Sequence, residues 1–161
     1  MLIQTGTDNP TLREVSAPVP PDQIRKWKKF AAQMVDYVEN PKNASCGLAA
    51  PQVGKNVRLV AVTLLKTWDD ESAPTVAMFN PEIVARSAEV TTEKEGCLSL
   101  PGCGGLVTRA AAVRLKWTDK DGKPHERNFA GTSARIVQHE LDHLDGVLFM
   151  DKALPLPPDN A

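Results

Sequence analysis

Two of the chain's three histidines stand four residues apart, in His139-Glu140-Leu141-Asp142-His143. On an α-helix, residues i and i+4 share a face, so both imidazoles can reach one cation. Glu140 stands beside the first of them, near enough to serve a water on that cation as general base. A third ligand then decides the chemistry. Metallopeptidases built on this helix motif take it from downstream, and the longer form of the motif places it ten residues after the first histidine. Gly146 fits the start of that longer form, but position 149 is phenylalanine, which cannot ligate. The next acid, Asp151, lies beyond a predicted final strand. Upstream stands Cys97, within Glu95-Gly96-Cys97-Leu98-Ser99-Leu100-Pro101-Gly102. A lone free cysteine is more often an inert buried thiol; beside a histidine pair, Cys97 is the better third ligand. One thiolate, two imidazoles and an open fourth position make a catalytic site, since structural sites are closed by four protein ligands.

These residues need elements to bring them together. The histidine-bearing helix is predicted to open at Gly131-Thr132-Ser133 and to close at Gly146. An earlier helix is predicted from about Asp22, whose carboxylate would cap it, to Asn40-Pro41. Ile24, Trp27, Ala31, Met34, Val35 and Val38 recur on one of its faces, with Arg25, Lys26, Lys28 and Lys29 largely on the other. No aromatic residues interleave with those cations, so they read as a solvated face, and no direct nucleic-acid binding is expected. Residues 57–65 and 75–79 read as buried strands, with shorter candidates at 83–86 and 89–92 and an exposed polar loop at 68–74. Val113, Leu115 and Trp117 alternate with Arg114, Lys116 and Thr118, as in a half-buried strand. Asp119-Lys120-Asp121-Gly122 is its hairpin turn, and residues 123–129 return. Residues 147–150 are read as a last short strand, and 153–161 as a proline-rich tail of one domain spanning 1–161. The fold class is α+β: short, mostly antiparallel strands around a central helix carrying the metal motif, with one N-terminal helix.

Composition narrows the function classes. A chain of 161 residues, 42% hydrophobic and 24% charged, can bury a core without covalent staples. Its net charge of −1 offers no basic field for nucleic acid. Apolar runs fall short of a membrane span, and the start, Met1-Leu2-Ile3-Gln4-Thr5, lacks the basic and apolar regions of a signal peptide. Cys46, Cys97 and Cys103 form an odd set without framework spacing, which argues against structural disulfides. A soluble, cytoplasmic, monomeric protein without a membrane partner is expected.

Three segments carry a family resemblance. Gly47-Leu48-Ala49-Ala50-Pro51-Gln52, Glu95-Gly96-Cys97-Leu98-Ser99 and Gln138-His139-Glu140-Leu141-Asp142-His143 resemble, in order, the three signature motifs of peptide deformylase. Asn9-Pro10-Thr11-Leu12-Arg13 and Asp121-Gly122-Lys123-Pro124 are similar to that family too, so the likeness runs from about residue 8 to residue 152. The resemblance implies removal of the N-formyl group from the initiator methionine of nascent polypeptides, with release of formate. It implies that Cys97, His139 and His143 hold one divalent metal, Fe²⁺ in the cell, with Zn²⁺, Ni²⁺ or Co²⁺ able to replace it in purified protein. Glu140 would be the general base and acid, acting on a metal-bound hydroxide's proton. Gln52 and the Leu98 N–H would be the oxyanion donors. The backbone of Cys46 and Gly47 would line the substrate groove, and an apolar pocket for the methionine side chain is expected to include Leu98, Ile136 and His139. Glu95 and Arg109 fall where the family pairs an acid and a base to hold the cysteine loop. Asp142 and Asp145 read as a polar helix face, with one of them available to a histidine ring.

The chain also departs from the family's pattern. Ser45 replaces a usual glycine, which narrows or stiffens the substrate edge. Cys46 replaces an aliphatic residue, and Thr108 a proline. Eleven residues follow Met150, with a proline-rich tail, so no C-terminal docking helix is expected for the ribosome, the expected place of encounter with formylated nascent peptides. A non-catalytic relative that only binds peptides or ribosomes would be expected to lack Glu140, Gln52 or a ligand, and all are present.

Overall fold

A computed structural model describes residues 1–70 and 72–154. Its centre is helix α3 (Gly131–Leu144), which carries the histidine pair. The helix buries residues on nearly every side, from Ser133 through Leu144, because elements pack around it and leave no wide solvent stripe. Its start is marked by sequence without a side-chain cap: Ser133 turns inward and donates to the Leu65 carbonyl at 2.6 Å. Its end is a Schellman closure, in which Val147 N–H reaches the Asp142 carbonyl at 2.9 Å and Gly146 N–H the His143 carbonyl at 3.3 Å. Gly146 sits there at φ 71°, and a Cβ on it would overlap the carbonyl of Arg13 in the short helix α1 (Pro10–Arg13).

Two antiparallel sheets flank α3. The larger has the order β1 (Gly47–Ala49), β2 (Leu59–Thr63), β3 (Thr75–Arg86), β6 (Ala112–Thr118), β7 (Pro124–Ala130). The smaller is β4 (Val90–Gly96), β5 (Gly104–Ala110), β8 (Ala153–Leu154). Alternation explains why β2 is apolar throughout. Leu59 and Ala61 face helix α2 (Ile24–Glu39) with Met34, Val38 and Phe79, while Val60 and Val62 face α3 with Leu115, Val137 and Leu141. The half-buried strand read from residues 113–117 is β6, with Val113, Leu115 and Trp117 buried, and its hairpin turn closes through Gly122 N–H to the Asp119 carbonyl at 3.0 Å. The mixed helix and antiparallel sheet fold is thus the expected α+β class.

Four local expectations are corrected. The first helix does not start at Asp22. A 3-10 turn (Pro21–Gln23) precedes α2, and no side chain caps the helix at Gln23; Pro21 preorganises that tight entry. The candidates at 75–79 and 83–86 are one strand, bent by a register shift between Phe79 and Glu82. Asn80 lies in that bend at φ 51°, its amide bonded both ways to the Val19 backbone at 2.8 Å. The candidate at 89–92 extends to Gly96, and its partner β5 was not anticipated. Finally, residues 147–150 form no strand. Phe149–Asp151 is a 3-10 turn, held by the Asp151 carboxylate accepting from Leu148 N–H at 2.8 Å, while Leu148 and Phe149 pack with Leu12, Leu100 and Val107. The last strand is Ala153–Leu154, paired with β5; residues 155–161 of the proline-rich tail lie outside the described residues.

Gly146→Ala should lower stability beyond the roughly 1–2 kcal/mol of a left-handed alanine, because its methyl group also meets the Arg13 carbonyl. Chemical denaturation of the purified variant checks this, and an unchanged midpoint would mean that α1 and the helix end are not in contact.

Candidate metal centre

Strand β4 delivers Cys97 at its end, and α3 delivers His139 and His143 one turn apart. The three donor atoms all lie within 4.8 Å of one another. Cys97 Sγ is 3.2 Å from His143 Nε2, and the imidazole centroids are 5.1 Å apart. His139 gives Nδ1 to Glu95 at 2.9 Å, which turns Nε2 toward the other two donors. Asp151, the alternative downstream acid, is committed elsewhere: it pairs with Arg13 at 2.5 Å. A thiol and two imidazoles suit a divalent transition ion of borderline softness. The buried Nδ1 of His143 has no hydrogen-bond partner among the described residues.

The surroundings set the protonation of these groups. Burial pulls His139 down, but hydrogen bonds to Cys97 and Glu95 outweigh it and push its pKa up to about 10. His143 is held well below the usual imidazole range by burial and by the charges of His139 and Arg109. Glu140, 4% exposed, is pushed up to about 7 by burial, against the pull of His139 and Arg109. Its Oε2 makes no hydrogen bond among the described residues. The carboxylate lies against Gly47, where a Cβ would overlap Oε1.

Gln52 is oriented by its own carbonyl oxygen, which accepts from Ala49 N–H at 2.8 Å. Its amide nitrogen consequently faces Cys97 Sγ at 3.4 Å and Ser99 Oγ at 3.2 Å. A cavity of about 490 Å³ opens onto this group, and Cys46, Gly47, Leu98 and Ile136 all line it. Trp68, expected in an exposed loop, lines it too and stays 56% exposed. Ser45 donates to the Gly47 carbonyl at 2.6 Å, tightening one lip. The Cys46 thiol is pushed up by burial and by Glu140, so it stays protonated.

Behind the three donors, Glu95 and Arg109 form a buried ion pair. Arg109 donates to Glu95 through Nε at 2.6 Å and Nη2 at 2.8 Å, both side chains being buried. Burial opposes the Glu95 charge, yet the bonds from Arg109 and His139 hold its carboxyl well below the usual range. Asp142 is partly buried and accepts from Arg109 Nη1 at 2.8 Å and from Lys152 at 2.7 Å, with no bond to a histidine among the described residues. Asp145 pairs with Arg58 at 2.7 Å. Gln138 bridges α3 to Ala110, donating to its carbonyl at 2.9 Å and accepting from its N–H at 3.2 Å. Two residues were missed from sequence, Ser99 and Arg135. Arg135 had a signal: it precedes His139 by the same four residues that separate the histidines.

A thiol at a strand end and two imidazoles on one helix face, with a buried acid beside them and an open cavity, make a group that could hold one metal ion. The chain belongs to the polypeptide deformylase family, whose profile matches residues 3–158. A peptide deformylase of Prochlorococcus marinus is 42% identical over 125 residues, which are 78% of this chain and 60% of that one's length. The chain thus spans less than two thirds of that relative. One from Brucella suis is 41% identical over 153 residues, covering 94% of this chain and 83% of the relative. The Met-Ala-Ser-bound crystal structure of a class I type b peptide deformylase from Acinetobacter baumannii matches with a TM-score of 0.82 at 35% identity, over 93% of this chain and 96% of that one.

Glu95→Ala should cost about 3–5 kcal/mol, the usual penalty of stripping a buried charge cluster of its counter-ion, since Arg109 would lose its bidentate partner. Equilibrium unfolding measures it; a loss under about 1 kcal/mol would mean that the pair is solvated.

Proposed function

We propose that the protein hydrolyses the formamide of N-formylmethionyl peptides, releasing formate and a free N-terminus. The observation that carries the reading is Glu140, a buried carboxyl near neutral pKa, set between three convergent metal donors and the cavity. Cys97, His139 and His143 hold one divalent cation, Fe²⁺ in the cell, with Zn²⁺, Ni²⁺ and Co²⁺ as substitutes in purified protein. When bound, that cation supplies Lewis acidity, lowering the pKa of a water toward neutrality. Everything else falls to the chain's own residues. Glu140 takes up the proton of the attacking water and returns it to the leaving amine, a double task suited to a group poised near 7. Gln52 Nε2 and the Leu98 N–H donate to the oxygen that becomes negative, each such donor being worth about 2.7–4 kcal/mol. Gln52 does this without adding charge beside the ligands.

The substrate class follows from the lining. Leu98, Ile136 and Cys46 offer an apolar slot for an unbranched side chain, where each buried CH₂ contributes roughly 0.8 kcal/mol. The Acinetobacter relative holds Met-Ala-Ser, which supports a methionine at this position and a peptide running out along Cys46 and Gly47. The substrates are formylated nascent chains, met at the ribosome in the cytoplasm by a monomer. No helix among the described residues is long and apolar enough to cross a membrane.

The decisive assay is formate release from formyl-Met-Ala-Ser by protein loaded with Fe²⁺, Co²⁺ or Zn²⁺ without oxygen; no release with any ion overturns the proposal. Glu140→Gln should keep its cation and lose about 10²–10⁴-fold in turnover, whereas near-normal turnover by the loaded variant would remove Glu140 from the proton transfers. Gly47→Ala should also keep the cation, yet lose on the order of 10²-fold because the methyl group displaces the Glu140 carboxylate. Metal analysis beside the rate measurement separates the two effects.

A further inference from the structure

The geometry points to Arg135 as a positioning residue of the metal centre, which acts through Glu95 to set the histidine-bearing helix against the strand that carries the thiol. The inference rests on the metal-site reading above. Arg135, His139 and His143 follow one another at i, i+4 and i+8, so they run along one face of α3. The Arg135 side chain is 4% exposed. Its Nη1 donates to Glu95 Oε1 at 2.7 Å and to the Val107 carbonyl at 3.0 Å. Its Nη2 donates to the carbonyl and to Oγ1 of Thr91, both at 2.9 Å. One side chain of α3 thus bonds to β4 at two places and to β5 at a third, and its Nε lies 3.4 Å from Glu93 Oε2, also on β4.

The division of labour between the two arginines is what gives Arg135 its role. Arg109 belongs to β5, in the same sheet as Glu95, so their bidentate pair is internal to that sheet. Among the described residues, Arg109 bonds to α3 through Asp142, near the helix end. Arg135 reaches the sheet from the helix's early half. His139 lies between these two attachments and takes its orientation from Glu95 Oε2. The Glu95 carboxylate is in turn fixed at Oε1 by Arg109 Nε and Arg135 Nη1 together. Without Arg135, Oε1 keeps one donor, the carboxylate can rotate about it, and the early half of α3 loses its bonds to β4. Both effects loosen His139 relative to Cys97. Lysine keeps the charge but cannot reach Glu95, Val107 and Thr91 at once, because it lacks the planar fork.

The test is Co²⁺ binding by R135M and R135K, followed by chelator competition and by the thiolate-to-Co²⁺ and d–d absorption bands, beside kcat and KM for formyl-Met-Ala-Ser. R135M is expected to bind Co²⁺ about 10–100-fold more weakly, the usual range for removing an outer partner of a metal ligand. Its d–d bands should shift, and kcat should fall with KM within about twofold. R135K is expected to recover part of the affinity. T91V, which removes one Arg135 acceptor remote from Glu95, should lower the melting temperature and leave the bands unmoved. If R135M folds with lowered stability but wild-type affinity and bands, Arg135 is a structural clamp only and the inference is wrong. Should R135M fail to fold, R135K decides alone: wild-type bands and affinity overturn the inference, weaker binding with shifted bands supports it. Wild-type protein that shows no thiolate-to-Co²⁺ band would overturn the metal-site reading itself, and this inference with it.

Discussion

A carboxylate buried among three cationic or hydrogen-bond-donating side chains cannot lose one partner without disturbing the others. Glu95 takes four such bonds, two from Arg109, one from Arg135 and one from His139. Two guanidinium ions would be intolerable in this interior alone, and a single carboxylate would be too. Together, with Asp142 as a second anion beside Arg109, they satisfy one another while fixing distances between α3, β4 and β5. The cluster's net contribution to stability is small by this reasoning; what it supplies is geometry. The imidazole tautomer, the approach of the thiol-bearing turn and the lie of the helix all trace back to one acid.

The apolar half of the molecule solves a different problem. The larger sheet must cover α3 on one face and receive α2 on the other, so β2 has no solvent side and β6, farther along, has one. The polar cluster meets the apolar core of the larger sheet along α3. That helix therefore carries Leu141, Val137 and Ile136 toward the large sheet and Arg135, His139 and Asp142 toward the small one. Glu140 points between them, onto the bare backbone of Gly47. This placement leaves its carboxyl dry enough to sit near neutral pKa and still next to the cavity.

Much of this was legible in the residues themselves, for reasons that are local. The histidine pair and its helix announce themselves by spacing, β6 by alternation, and the turn after it by Asp119 and Gly122. The pairing of Glu95 with Arg109 came through the family likeness, since nothing in their separation reveals it. What escaped was set by tertiary contacts. Strand β5 opens with two glycines that give no alternation to read. Phe149 and Met150 looked like strand residues, yet the Asp151 side chain ties that segment into a turn. Asp22 has the right chemistry for a cap, but Pro20 and Pro21 place it inside a tighter turn. Arg135 was hidden because a cation on a helix normally faces water, and only an acid arriving from another sheet brings it inside.

The contact between Gly146 and Arg13 has a consequence for how the chain matures. Arg13 donates to the Gly146 carbonyl across 133 positions of sequence and to Asp151 across 138, and β8 closes the small sheet against β5. Contacts of such separation are late events in folding, because the entropy of closing the loop must be met before they form. On a ribosome the order is stricter. The segment that seals the end of the histidine helix is made 133 residues before the glycine it meets, and it waits for α3 to follow. The thiol waits too: Cys97 is made 46 positions before His143, and the donors share a place only once α3 has followed.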